Sequence, residues 1–277
     1  MSINPDLSEP WFYEATESEI NVDNLMIGTI YYWTVTAYIT KDKAVTSGIA
    51  KFVTDDIAPR NLRVPGVKNV RDMGGIKTID GKVVKQNRII RCGALTLNEN
   101  GSPLINAEGI KIMNEKLHMK TEIDLRGETS TESGKLKGSI LGEQVTYRLI
   151  GMKYSGSDCL IDNKNMLNEL FSVFAEEENY PICFHCSEGT DRAGLIAFLL
   201  NALFGVDEID IYRDYLFSAF RSCGGKIPAL SNITNTYVKT IKSFKGSTLA
   251  EQTFNALVNF GVTKSTLNKV IALNVID

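Results

Sequence analysis

One segment decides the fold of this chain: Ile182-Cys183-Phe184-His185-Cys186-Ser187-Glu188-Gly189-Thr190-Asp191-Arg192-Ala193-Gly194. It begins as an apolar run typical of a buried strand, and the small and apolar residues that follow Arg192 predict a buried helix that ends at Gly205. Cys186 and Arg192 lie between these two elements, separated by five residues. A strand, a short polar loop and a helix N-terminus in this order predict a loop that folds around an anion, called the anion loop below (Cys186–Arg192).

The anion loop contains the residue types that phosphate chemistry needs. Consecutive backbone N–H groups at a helix N-terminus supply positive potential, and the planar guanidinium of Arg192 matches two phosphoryl oxygens. The same potential favours the thiolate form of Cys186, which is the nucleophilic form. Gly189 lets the backbone turn through positive φ. We therefore predict a cysteine-dependent phosphatase in which Cys186 attacks phosphorus. The residues assigned to phosphate binding are Ser187, Glu188, Gly189, Thr190, Asp191 and Arg192.

The anion loop resembles the signature of bacterial and fungal tyrosine-phosphatase-like proteins, whose loop commonly reads H-C-x-x-G-K-D-R-T-G. Four more segments, over about residues 65–277, are similar to motifs of that family: Asn69-Val70-Arg71-Asp72-Met73-Gly74-Gly75, Arg91-Cys92-Gly93-Ala94-Leu95, Ile123-Asp124-Leu125-Arg126 and Asp214-Tyr215-Leu216-Phe217-Ser218. The resemblance implies an α/β fold with a cysteine-phosphatase-like central sheet flanked by helices. The residues expected to support the site are His185, Arg71, Asp72 and Arg126.

The hydrophobic pattern after residue 60 is also α/β. Strands are predicted at Ile89–Ile90, Thr121–Leu125, Gln144–Ile150 and Ile182–Phe184. Helices are predicted by the apolar spacing of Met166–Phe174, over Val206–Arg221, and on either side of Gly261-Val262-Thr263, where Thr248 and Glu251 form a capping box.

Two loop positions depart from the family pattern. Thr190 replaces the usual Lys, and Ala193 replaces a Thr or Ser whose hydroxyl, by resemblance, helps the thiolate to leave. Ala193 is therefore expected to slow hydrolysis of the phospho-enzyme. One arginine and two acids favour a monophosphate ester such as phosphotyrosine over polyphosphorylated groups, because each cation near a surface contributes about 1 to 4 kcal/mol. The balance changes if Arg71, Arg91 and Arg126 also face the pocket.

Three aspartates are candidates for the acid that protonates the leaving oxygen and then serves as the base for water. Asp191 ranks first because it lies in the anion loop, where the resemblance implies a role. Asp124 ends a predicted strand, and Asp158 lies in a Gly-Ser-Asp segment typical of a mobile loop. The alternative for each is a structural, ion-paired aspartate. His185 precedes the nucleophile, and neighbouring strand residues point to opposite faces, so we expect it to orient the loop through hydrogen bonds.

The composition is that of an ordinary globular protein, with 43% hydrophobic residues, 23% charged residues and a net charge of −3. This charge gives no indication of nucleic acid as a partner, and no window is apolar for long enough to span a membrane. Two histidines and five scattered cysteines form no metal-ligand pattern, so no metal or other cofactor is expected. The expected partner is a phosphorylated substrate, either a phosphotyrosine protein or a small phosphomonoester.

Residues 1–60 form a separate, β-rich segment before the catalytic domain predicted at 61–277. The run Ile30–Tyr38 has high β-propensity, and Leu25–Tyr31 resembles the tyrosine-corner stretch of a fibronectin type III-like sandwich. Only about half of such a sandwich is present, because a complete one needs about 100 residues. The lack of a signal region favours the cytoplasm, whereas a truncated sandwich favours a secreted or cell-surface protein.

Three alternatives to a phosphoprotein phosphatase remain. A phosphoinositide or inositol phosphate phosphatase uses the same kind of loop. A non-catalytic phosphate-binding module is favoured by Thr190 and Ala193, and disfavoured by the presence of both Cys186 and Asp191. Sulfur or arsenate chemistry also places a cysteine in an anion-binding loop, but the N-x-R-D-x-G-G and D-L-R segments argue against it.

Overall fold

The computed structural model describes residues 1–97, 101–127, 136–153, 159–221 and 227–277. Within these residues the chain divides into two compact units, Met1–Ala58 and Pro59–Asp277. No helix in the described part of the chain is long and apolar enough to cross a membrane.

The first unit contains two antiparallel sheets of two strands each. Its strands are β1 (Ile30–Trp33), β2 (Thr36–Thr40), β3 (Lys43–Thr46) and β4 (Ala50–Val53), with β1 paired to β4 and β2 to β3. The predicted run Ile30–Tyr38 is therefore interrupted, and at the interruption the Ser47 hydroxyl accepts a hydrogen bond from Val35 N–H (3.1 Å). Tyr31 is buried, and its hydroxyl accepts a hydrogen bond from Met26 N–H (2.7 Å). The fibronectin type III-like interpretation stays a prediction.

The second unit is built on a six-stranded mixed sheet. In chain order, its eight strands are β5 (Arg60–Asn61), β6 (Arg71–Asp72), β7 (Val83–Val84), β8 (Ile89–Cys92), β9 (Thr121–Asp124), β10 (Thr146–Leu149), β11 (Ile182–His185) and β12 (Val275–Ile276). The central sheet has the order β10-β9-β11-β8-β6-β5, and β7 pairs separately with β12. Strands β10, β9, β11 and β8 are parallel, so their carboxyl ends meet at one edge. The four predicted strands are confirmed.

Helices cover this sheet, as predicted for the α/β class. They are α1 (Ala107–Lys111), α2 (Cys159–Asp162), α3 (Lys164–Phe174), α4 (Arg192–Phe204), α5 (Glu208–Leu216), α6 (Lys239–Ile241), α7 (Leu249–Asn259) and α8 (Lys264–Asn274). Every residue of α4 is buried, which agrees with its uniformly apolar sequence. The helix predicted over Val206–Arg221 is shorter, because a tighter 3-10 turn, Phe217–Arg221, follows α5. Thr248 caps α7 as predicted, but Glu251 accepts hydrogen bonds from Ser247 rather than from Thr248.

Substitution of Phe171 tests how much the packing of α3 contributes to the stability of the core. Its side chain is fully buried and packs edge-to-face with Phe174, which contacts Phe184 of β11 in the same way. We expect Phe171→Ala to lower the free energy of unfolding by about 3 to 5 kcal/mol, because the change leaves a cavity. Met166→Ala, on the same helix but partly exposed, should cost less than about 1 kcal/mol. Urea denaturation followed by circular dichroism measures both values, and equal losses would contradict this packing.

Candidate active site

The anion loop lies where β11 ends and α4 begins. Cys186 directly follows β11, and Arg192 is the first residue of α4. Strands β8 and β9 flank β11 on either side and end level with it, at Cys92 and Asp124. The segments that follow these strands therefore meet the loop at the carboxyl edge of the sheet, which is the usual position of a ligand site in α/β folds.

Three consecutive loop carbonyls accept hydrogen bonds from other segments of the fold. The donors are Ala94 N–H to Ser187 O (3.1 Å), Asn69 Nδ2 to Glu188 O (3.1 Å) and Arg91 Nη2 to Gly189 O (2.8 Å). In a planar trans peptide the carbonyl and the next N–H point in opposite directions. The N–H groups of Glu188, Gly189 and Thr190 therefore point away from these donors, and the loop presents three successive N–H groups on one side.

Gly189 is required at its position for two reasons. Its φ is +69°, in the left-handed region, and a Cβ there would lie 2.5 Å from Cys92 O and 2.8 Å from Gly93 N. The loop backbone thus rests directly on the end of β8. A side chain at this position would push the loop away from the strand that holds it.

A buried cluster of Arg71, Arg91 and Asp214 lies behind the loop. Asp214 Oδ1 accepts from Arg71 Nε (2.9 Å), and Asp214 Oδ2 accepts from Arg91 Nη1. Arg71 also donates to Asp214 O (2.9 Å) and to Ser218 Oγ (3.2 Å). Burial and the neighbouring Arg91 lower the pKa of Arg71 to about 10, although Asp214 opposes this shift. Burial would raise the pKa of Asp214, but the two arginines hold it below its ordinary value.

Cys186 and Arg192 lie at the two ends of the loop. The Cys186 side chain is 3% exposed, and Cys92, Cys183 and Cys186 are free thiols. The Arg192 guanidinium is also largely buried and reaches back to the start of the loop, where Nη2 lies 3.4 Å from Ser187 Oγ. Its Nη1 lies 3.5 Å from Met152 O.

The candidate acids occupy different environments. Asp191 is partly buried at the N-terminus of α4, and its side chain does not cap that helix. Asp124 is fully buried, and its carboxylate accepts from Arg126 Nη2 (2.7 Å) and from the Tyr147 hydroxyl (2.9 Å). Burial would raise the pKa of Asp124, but His185 and Arg126 hold it below its ordinary value. Asp158 lies outside the described residues.

His185 is fully buried between two carboxylates of β9. Its Nε2 lies 3.0 Å from Glu122 Oε1, and its Nδ1 lies 3.8 Å from Asp124 Oδ1. Burial would lower the pKa of His185, but Asp124 and Glu122 raise it above its ordinary value. The imidazole is thus fixed by hydrogen bonding to β9, and the role predicted for His185 in orienting the anion loop stays a prediction.

The remaining supporting residues hold the scaffold. Arg126 donates to Thr96 O (2.8 Å) as well as to Asp124, so its guanidinium is bound within the protein. Asp72 neighbours Arg71 on β6 and points to the opposite face. Its carboxylate accepts from Arg60 Nη1 (2.7 Å) and from the N–H groups of Asn87 (2.7 Å) and Gly74 (2.8 Å). Asp72 therefore stabilises the β5–β6 end of the sheet and is not brought to the anion loop.

Glu122 is the site residue that the sequence analysis missed. It is buried, and it also accepts a hydrogen bond from the Ser139 hydroxyl. A signal was present, because Glu122 and Asp124 are two residues apart on one predicted strand and so share a face. An acid inside an otherwise buried strand needs a partner, and the neighbouring strand ends in His185.

Among the described residues, no three His, Cys, Asp or Glu side chains are arranged to hold a metal ion. The family model described as the tyrosine phosphatase family matches residues 62–272. The chain belongs to the tyrosine phosphatase family. The predicted resemblance is confirmed, and the chain is a phosphatase that acts on a phosphorylated substrate.

Two named relatives are bacterial. A Cupriavidus necator protein, described as a candidate tyrosine-protein phosphatase, is 27% identical over 194 residues, which cover 62% of this chain and 68% of that protein. A Nostoc commune tyrosine-protein phosphatase is 39% identical over 51 residues, 18% of this chain and 17% of that protein.

Two solved structures are similar at low identity. The core catalytic domain of the PP-IP phosphatase SIW14 from S. cerevisiae has 15% identity and a TM-score of 0.36, covering 56% of this chain and 86% of that one. TpbA from P. aeruginosa, solved with pTyr, has 15% identity and a TM-score of 0.36, covering 64% of this chain and 90% of that one.

Gly189 provides a matched test of the loop geometry. Gly189→Ala and Gly205→Ala both place a Cβ at a left-handed φ, +69° and +81°, but nothing lies within 4 Å of the added atom at Gly205. Both changes should cost about 1 to 2 kcal/mol of conformational strain. Gly189→Ala should cost more, because its Cβ meets Cys92 O. Thermal unfolding measures the difference, and equal effects would show that the loop does not rest on β8 as described.

Proposed function

We propose that this phosphatase hydrolyses monophosphate esters through a phosphocysteine intermediate on Cys186, with phosphotyrosine in a protein as the best substrate. The observation that carries the proposal is the set of three outward-held carbonyls at Ser187, Glu188 and Gly189. Because these carbonyls point outward, the N–H groups of Glu188, Gly189 and Thr190 point to the opposite side of the loop, between the nucleophile and Arg192. An oxyanion bound there would need no rearrangement of the loop.

The reaction proceeds in two displacements. The Cys186 thiolate attacks phosphorus, so that an S–P bond forms while the P–O bond to the leaving group breaks. A water molecule then breaks the S–P bond and releases phosphate and the thiolate. In both steps Arg192 and the loop N–H groups stabilise the negative charge on the three equatorial oxygens.

Asp191 is the better candidate for the acid and base. Asp124 accepts hydrogen bonds from Arg126 and Tyr147, so its carboxylate is bound within the protein. Burial would raise its pKa, but His185 and Arg126 hold it below the ordinary value, which makes Asp124 the poorer proton donor. Asp191 stands beside Arg192 at the end of the loop and is not used as a helix cap. Asp124 then serves to fix Arg126 and to face His185.

The substrate class follows from the charges near the loop. Arg71, Arg91 and Arg126 are all fully buried, and each is paired with a protein carboxylate. Their pairing supports a pocket in which Arg192 is the loop cation, which is enough for one phosphate. The Cys186 thiol is buried, at 3% exposure. A phosphate on a tyrosine ring extends farther from its backbone than a phosphate on serine, so phosphotyrosine is better able to reach this thiol.

A substrate panel tests the proposed nucleophile. Wild type and Cys186→Ser are compared on a phosphotyrosine peptide, a phosphoserine peptide, phosphoinositides and inositol hexakisphosphate, with chelator present. We expect phosphate release from the phosphotyrosine peptide and at least a thousandfold loss in Cys186→Ser, because serine is not ionised at neutral pH. Cys183→Ala, a buried cysteine of β11, is the control and should retain activity.

Undiminished activity in Cys186→Ser would eliminate the phosphocysteine mechanism. Preferential release from inositol phosphates would replace the phosphoprotein assignment. A wild type that binds phosphate but releases none from any substrate would be a phosphate-binding module.

A leaving-group series tests Asp191. The Asp191→Asn variant should lose about 10²- to 10⁴-fold in kcat/KM with a phosphotyrosine peptide, which needs a proton on its leaving oxygen. The ratio kcat/KM is used because it reports formation of the phosphocysteine and is not limited by its hydrolysis. The loss should be much smaller with p-nitrophenyl phosphate, whose leaving group is a weak base. Asp210→Asn, a surface aspartate paired with Arg213, is the matched control. Equal losses with both esters would exclude Asp191 as the acid.

A further inference from the structure

One peptide group lies between the side chains of Asn163 and Arg192. It joins Met152 to Lys153, in the segment that follows β10 at the carboxyl edge of the sheet. Its N–H donates to Asn163 Oδ1 (2.7 Å), and its carbonyl, Met152 O, accepts from Arg192 Nη1 (3.5 Å). In a planar trans peptide these two groups point in opposite directions. Because Asn163 holds the N–H on one side, the carbonyl is directed to the other side, where Arg192 lies.

The Asn163 side chain also binds the next peptide group. Its Nδ2 donates to Lys153 O (3.0 Å), so one amide contacts both main-chain groups of the same residue. This pair of bonds opposes rotation of the 152–153 peptide. Lys153 is exposed, whereas Asn163 is 1% exposed. A buried side chain thus fixes the backbone of a surface residue.

Asn163 makes these bonds in place of a common local one. It is the N-cap residue of α3, and asparagine is among the residues that most often cap a helix through their side chains. The Asn163 side chain makes no capping bond to α3. A residue whose role was only to begin the helix would use its amide there. The contact with Lys153 therefore indicates that the side chain secures the 150–153 segment.

Strand β9 holds the same segment from its other side. Met152 N–H donates to Leu125 O (2.9 Å), which continues the pairing of β10 with β9. At Gly151, a Cβ would lie 3.0 Å from Arg126 O, so the segment packs closely against the residues that follow β9. The segment is thus fixed between the end of β9 and Asn163, and its position is not set by Arg192.

We propose that Asn163 is a positioning residue for phosphate binding, which orients the 152–153 peptide so that its carbonyl directs the Arg192 guanidinium. Arginine has five N–H donors in a rigid plane, so one orienting contact restricts the plane and leaves other donors for phosphoryl oxygens. This role rests on the proposed function, in which Arg192 binds the phosphate. It is measurable by anion binding, without turnover.

Binding of inorganic phosphate, measured by calorimetry, tests this role. Asn163→Leu keeps a similar volume but removes both bonds to Lys153, so phosphate should bind about tenfold more weakly. With a phosphotyrosine peptide, kcat/KM should fall by a similar factor. Asn163→Asp keeps an oxygen that accepts from Lys153 N–H, and it should restore the phosphate affinity to within about threefold of wild type.

Asn274→Leu is the matched control. Asn274 is also fully buried, and its Nδ2 donates to the Tyr180 hydroxyl (2.7 Å) and to Val270 O (2.8 Å). Tyr180 precedes β11, so this site lies at the opposite end of that strand from the anion loop. The control variant should unfold at a lower temperature, as Asn163→Leu does, but bind phosphate like wild type. Equal losses of phosphate affinity in both variants would overturn the specific role of Asn163.

Hydrogen exchange of the Lys153 amide in wild type, measured by NMR, does not depend on any variant. Exchange at the rate of an unprotected amide would overturn the inference, because the N–H would not be held by Asn163. Wild-type phosphate affinity in a folded Asn163→Leu would also overturn it.

The same measurements separate this inference from the proposed function. A wild type that binds phosphate in the expected Asn163-dependent way, but releases phosphate from no ester, would remove the proposed function and leave the role of Asn163 standing. A wild type that binds no phosphate would overturn both.

Discussion

The hydrogen bond from Arg91 to Gly189 O is the contact on which the rest of the site depends. Arg91 is buried in β8 and is held in place by Asp214 of α5, so one guanidinium joins a strand, a helix and the anion loop. A buried arginine costs several kcal/mol in desolvation, which its partners must offset. Removing either partner leaves an uncompensated charge in the core. The loop is therefore stabilised by an ion pair that cannot be broken without disturbing the fold.

Two buried clusters set the electrostatic potential of the loop. The cluster of Arg71, Arg91 and Asp214 carries one excess positive charge. The buried group of Glu122, Asp124, Arg126 and His185 is neutral when the imidazole is protonated. The positive excess thus lies behind the loop carbonyls, where it stabilises their outward orientation. In the proposed mechanism, the potential that holds the phosphate comes from the N–H groups on the other side of the loop and from Arg192. Different residues would then supply the charge that holds the loop and the charge that holds the phosphate.

The sequence predicted the class of chemistry, but it did not predict most of the contacts that hold the site together. The spacing from Cys186 to Arg192 and the strand and helix patterns around it predicted the anion loop, because these signals are local. Arg71 and Asp214 are paired although they lie 143 positions apart in the chain. A hydrophobic pattern describes only neighbouring residues and cannot predict such a pair. The motif residue Asp72 was expected to support the site, but alternation along β6 turns it to the other face. Glu122 has a local signal, although its partner is known only once the strand order is known.

The positions at which this chain departs from its family follow from how the loop is held. Backbone carbonyls, Gly189 and buried Arg91 fix the loop. The Thr190 hydroxyl adds one long contact, to Glu188 O (3.5 Å), and Ala193 has no polar side chain. Thr190 and Ala193 therefore contribute little to the loop geometry, whereas Gly189 is required by it. The shape of the anion site and the rate of its chemistry are thus separable. Under the proposed mechanism, a change at Ala193 would act on departure of the thiolate, and a change at Thr190 would act on the charge offered to the substrate, while the N–H array stays in place.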